Sequence, residues 1–80
     1  MNYITQDIYE AAFIKLNGYE LGIVRRNQHT GLVDIELKGI PEELQHIVNA
    51  FHKGAPISNA LLFVKECSYI RYLVKRYSEN

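Results

Sequence analysis

Apolar and polar positions along this chain fall into five patterned stretches, and the sharpest pattern lies near its end. Placed about 100° apart, Leu62, Phe63, Cys67, Tyr69, Ile70, Leu73, Val74 and Tyr77 fall on one side of a helix over 58–77, and Lys65, Arg71, Lys75 and Arg76 on the other. The basic side also carries Leu61, Val64 and Tyr72, so positive charge alternates with apolar and aromatic surface where a solvated face would be polar. Glu66 is the odd residue, with a wheel position inside the apolar arc between Leu73 and Tyr77. It must reach the boundary of that arc, pair with a cation such as Lys15, or meet a partner.

Upstream, Asp7 can cap the free amides of a helix over Ile8–Leu16, with Glu10 three residues on in a capping-box position. Ala11 and Ala12 favour helix and allow close approach, while Ile8, Tyr9, Phe13 and Leu16 supply large apolar contacts. Asn17 and Gly18 end it.

Residues 19–26 alternate, with Tyr19, Leu21 and Ile23 opposed to Glu20, Gly22 and Val24; residues 32–38 alternate as Val33, Ile35, Leu37 against Asp34, Glu36, Lys38. The turn-rich Asn27-Gln28-His29-Thr30-Gly31 between them predicts an antiparallel hairpin that pairs Ile23 with Ile35, Leu21 with Leu37 and Glu20 with Lys38. That register sets the apolar residues on one face and an opposite-charge pair outside.

Gly39-Ile40-Pro41 then opens a helix with proline first and Glu42 and Glu43 at the positive end of its dipole. Leu44, Ile47, Val48 and Phe51 form a core-facing stripe before Gly54 stops it, and Ser58 or Asn59 caps the last helix after Ala55-Pro56-Ile57. The expectation is an α+β fold of one domain over 1–80: helix, two-stranded antiparallel hairpin, two helices (αββαα), around one small core. Two strands alone are marginal, so helices must cover the hairpin, and its unpaired edges invite either shielding or edge-to-edge dimerisation.

Composition narrows the classes of function. Eighty residues bury only about 60% of their unfolded surface, and self-association would assist so small a core. No apolar run approaches the roughly 20 residues needed to span a bilayer, and residues 1–7 lack a secretory pattern, so the expected location is cytoplasmic and no membrane partner is implied. The single Cys67 forms no internal disulfide. Nine basic and nine acidic side chains cancel, so electrostatic recognition must be local.

Thr5, Asp7, Tyr9, Ala11, Ala12, Phe13, Gly18 and Tyr19 precede a hairpin, a short helix closed by Phe51, and a last helix with Phe63 and a basic-aromatic end. In these residues most of the chain resembles an uncharacterised family of short bacterial and phage proteins, known as a domain of unknown function. The resemblance implies a small non-enzymatic accessory protein from a phage or mobile element, and it supplies no catalytic residue.

The candidate chemistry is thin. Cys67 falls on the apolar face between Phe63 and Ile70, a buried structural position rather than that of an activated nucleophile. His29 lies in the hairpin loop, and His46 and His52 are six apart, not at the i, i+4 spacing that presents two imidazoles to one ion, so both read as solvated and no metal is expected. Glu42 and Glu43 diverge around their helix, and Asp34 and Glu36 read as a small outward acidic patch opposite Val24 and Gly22. No glycine cluster cradles a phosphate. No nucleophile, base and orienting group assemble, so neither an enzyme nor a cofactor is expected.

Two basic features remain: Arg25 and Arg26 beside the hairpin loop, and Lys65, Arg71, Lys75 and Arg76 with Leu61, Val64 and Tyr72 on the last helix. The first reading is a protein–protein interface, self-association included, since tyrosine and arginine around an apolar centre are interface chemistry. The alternative is nucleic-acid binding by the hairpin arginines and the basic helix, with Tyr72 stacking on a base. A dedicated nucleic-acid binder carries a basic excess, which this chain lacks.

Overall fold

The computed structural model describes residues 2–78. The element order is β1 (Asn2–Thr5), α1 (Ile8–Leu16), β2 (Glu20–Arg26), β3 (Val33–Lys38), α2 (Pro41–His52) and α3 (Ala60–Ser78). The α+β class is as expected, but the sheet has three antiparallel strands in the order β1-β3-β2, with β3 central. The four-residue strand β1 pairs Asn2 with Lys38, Tyr3 with Leu37, Ile4 with Glu36 and Thr5 with Ile35. It takes the edge of β3 that a two-stranded hairpin would have left open, and so reduces the case for edge-to-edge pairing through that strand.

The hairpin register holds at Glu20–Lys38 and Leu21–Leu37, then shifts. Ile35 faces Val24, not Ile23, because β2 carries one extra residue between Leu21 and Val24. The bulge turns Val24 into the core, 7% exposed, and Ile23 out to solvent, 61% exposed. Glu36 explains how the extra residue is held: its carboxylate accepts a hydrogen bond from the Ile23 N–H at 3.1 Å. Gly22 makes the room, since a Cβ there would collide with that carboxylate. The bond lowers the Glu36 pKa below its ordinary value, with the side chain of Asn2 contributing next.

The three helices cover one face of the sheet. Ala11, Ala12, Ile14, Val24, Val33, Ile35, Leu37, Leu44, Val48, Cys67 and Ile70 form one buried cluster. α1 packs against α2, α3 and β3, which is why four consecutive residues, Ala11 to Ile14, are buried. Ile14, absent from the expected apolar stripe, is fully buried, whereas Tyr9 is half exposed. Phe13, Phe51 and Phe63 join the three helices, with ring centroids 4.9 and 6.2 Å from Phe51. Gly18 and Gly54 take positive φ at the helix ends, as turn chemistry requires. Asn59 caps α3, its Oδ1 accepting from the Leu62 N–H at 2.9 Å. Among the described residues no helix is long and apolar enough to cross a membrane.

Candidate interaction face on the last helix

α3 turns Phe63, Cys67, Ile70, Leu73 and Val74 toward the rest of the molecule. Three residues assigned to that side from the sequence, Leu62, Tyr69 and Tyr77, are only partly covered, between 37% and 49% exposed. They lie at the margins of the arc, and a helix resting chiefly on α1 and β2 buries a narrower stripe than the wheel offered. Cys67 is buried, and burial pushes its thiol pKa up, away from the reactive thiolate.

Glu66 points inward at the boundary and pairs with Lys15 of α1, Nζ to Oε2 3.0 Å, with both side chains about one-fifth exposed. The Lys15 ammonium also lies 5.1 Å from the centre of the Tyr69 ring. The position that looked anomalous on the wheel is therefore a link between α1 and α3.

On the opposite side, Leu61 is 66% exposed, Val64 57% and Tyr72 58%. These residues do not pack against the hairpin or α1; they are free apolar surface in the monomer. Lys65, Arg71, Lys75 and Arg76 are exposed among them. Arg71 is held in place, donating from Nη2 to the Tyr9 hydroxyl at 3.2 Å, with its guanidinium 5.9 Å from the Tyr9 ring centre. Tyr9, exposed on α1, thus extends the face beyond α3.

The hairpin arginines belong to another surface. Arg25 faces Asp34 across the strands and lines, with Ile4, Ile23, Asp34 and Glu36, a hollow on the sheet face away from the helices. Arg26 lies at the end of β2, where Arg25, Arg26, Asn27, Gln28, His29 and Asp34 border a shallow cleft of about 390 Å³. No α3 residue lines either concavity. Asp34 also accepts from Gln6 and Asn27, at 2.9 and 3.0 Å, and Glu36 holds the bulge, so these two carboxylates are structural rather than a solvated acidic patch.

A third cluster escaped the sequence pattern because one member, His52, lies far along the chain from the others. Asp7 caps α1, Oδ1 accepting from the Tyr9 and Glu10 N–H groups. Glu10 does not close the expected capping box. Thr5 replaces it: the Thr5 hydroxyl accepts from the Asp7 N–H at 3.1 Å and donates to Glu10 Oε1 at 2.8 Å. Glu10 Oε2 accepts from His52 Nε2 at 2.6 Å, so His52 is not merely solvated but ties the end of α2 to the start of α1. Asp7, Glu10 and His52 each offer one metal-ligating atom within 4.8 Å of the others. The contacts of Asp7 with the backbone amides and of Glu10 with Thr5 and His52 account for the cluster as a structural junction.

Comparison of the chain with protein-family models, with curated proteins and with solved structures gives no match. The family resemblance therefore rests on the residues of the chain alone.

Proposed function

We propose that this is a small non-catalytic binding protein that works through a protein–protein interface on α3, with Leu61, Val64 and Tyr72 at its centre and Lys65, Arg71, Lys75 and Arg76 around them. The observation that carries this reading is that three large apolar side chains lie more than half exposed in one stretch of a helix whose other side is packed into the core. Exposed apolar surface of this kind is stabilised by burial against a partner, and a rim of charge around an apolar centre is the usual anatomy of such contacts. A nucleic-acid role combining the hairpin arginines with α3 is less well supported. Arg25 lies on the sheet face turned away from the helices, with Asp34 opposite it.

Two measurements test the reading. Tyr72→Glu should leave the melting temperature within about 4 °C of the parent, the expectation for an exposed site, and abolish partner binding; unfolding would show that the face belongs to the core. A photoreactive amino acid placed at position 72 should crosslink in cells to a protein, with no adduct from a control at Gln45, exposed on α2. Adducts from neither position, or from both alike, would refute an interface centred on Tyr72.

A further inference from the structure

The charge on α3 and the spacing of its outer residues together identify the kind of partner, on the reading that this face is an interface. Leu61, Val64, Ser68 and Tyr72 are separated by three, four and four residues, the alternation that lines up a seam along one side of a helix. From Leu61 to Tyr72 the seam runs about 16 Å at 1.5 Å per residue. On the wheel Lys65 and Arg76 lie on one side of it and Arg71 on the other, while Lys75 continues the line of Val64 and Ser68 at its C-terminal end.

Within Ala60–Ser78 the acidic residue is Glu66, and it is turned inward onto Lys15. The outer side of α3 therefore presents four cationic residues and no acidic one, although the chain as a whole is neutral. A second copy presenting the same helix would set cations against cations on both flanks of the seam, in either orientation, which disfavours self-pairing through α3. Phosphate would answer the charge but leave Leu61 and Val64 in water, since a nucleic-acid backbone has no apolar row to cover them. A helix with an apolar stripe bordered by carboxylates answers both.

We infer that the α3 face receives an amphipathic helix of another protein whose apolar stripe is flanked by aspartate or glutamate. The apolar residues of that helix pack along Leu61, Val64, Ser68 and Tyr72, and its carboxylates meet Lys65, Arg71 and Lys75. Arg71, already oriented by Tyr9, is the most pre-organised of these contacts.

The test is a residue-resolved NMR titration of the intact protein with three probes at near-physiological salt. The first is a three-heptad peptide with leucine at the a and d positions and glutamate at e and g; the second is the same peptide with lysine at e and g; the third is a single-stranded oligothymidylate. The expected result is that the glutamate peptide shifts Leu61, Val64, Ser68 and Tyr72 and binds at least about tenfold more tightly than the lysine peptide. The double variant Lys65→Glu, Lys75→Glu, at exposed positions, should reverse that order. Equal binding of both peptides along the seam would overturn the acidic helix and leave the interface reading standing. Binding of neither would also overturn it, the interface itself then resting on the crosslink at position 72. Shifts on α3 with the oligothymidylate alone would overturn both in favour of nucleic acid.

Discussion

Replacing Thr5 with valine preserves the shape of a buried side chain and removes one oxygen. That oxygen donates to Glu10 Oε1 at 2.8 Å and accepts from the Asp7 N–H at 3.1 Å, and Thr5 is only 8% exposed. A hydrogen bond to an ionised carboxylate contributes about 1.5–3 kcal/mol, and an amide left without its partner costs about 1–3 kcal/mol. Glu10 keeps some exposure, so water recovers part of the first term. We expect Thr5→Val to cost about 2 kcal/mol net. For a domain of this size that lowers the melting temperature by roughly 8–16 °C. Urea unfolding followed by circular dichroism measures it directly, with an unchanged slope showing that only stability has moved. Thr5→Ser, which retains the hydroxyl, should recover most of the loss. In a Glu10→Gln background the penalty of Thr5→Val should shrink, because the charged acceptor is already gone. A loss below about 0.5 kcal/mol for Thr5→Val, or equal losses for the serine and valine variants, would refute the view that the hydroxyl joins β1 to α1.

Three further outcomes follow from the packing and the bulge. Gly22→Ala should destabilise the protein by displacing the Glu36 carboxylate from the Ile23 N–H, and the cost should vanish in a Glu36→Ala background; additive losses in a double-mutant cycle would separate the two residues. Ile70→Ala removes a fully buried side chain and should cost about 2–5 kcal/mol by thermal or urea unfolding, whereas an unchanged midpoint would mean that α3 is rotated from the orientation described. The folded-state pKa of Glu36 is depressed below 4.5, so its contribution is complete above that value and is lost as pH falls through the folded pKa; the Ile23 amide resonance should move in that acid range and stay fixed in Glu36→Gln.

The elements with a long period were legible in the sequence. Ile8–Leu16 and its Asp7 cap, the Leu44–Val48 stripe of α2 and the exposed Leu61, Val64 and Tyr72 all follow from spacing and capping chemistry. What escaped is non-local or short. β1 has four residues, too few for alternation to declare itself, and its place is decided by the open edge of β3. The bulge was hidden because Ile23 and Val24 are equally suited to a strand, so only the fit of Glu36 over Gly22 tells which one turns inward. Leu62, Tyr69 and Tyr77 were assigned to the packed side because a wheel states direction, not how wide a surface lies beneath it. The junction of Thr5 and Glu10 takes in His52, more than forty positions on, a distance that no local pattern spans.

The central place of β3 also sets its two pairings at very different loop lengths. Its pairing with β2 is closed by a loop tightened by the Leu32 and Asn27 backbone groups, with Asn27 Oδ1 accepting from the His29 and Thr30 amides, so little chain entropy is lost in bringing those strands together. Its pairing with β1 joins Thr5 to Ile35 across the whole of α1 and β2. Of the two pairings of β3, that closure costs the more chain entropy. Of the two neighbours of β3 the first strand is therefore the costlier to secure, and the Thr5 hydroxyl, bonded to Asp7 and Glu10, ties its end to α1.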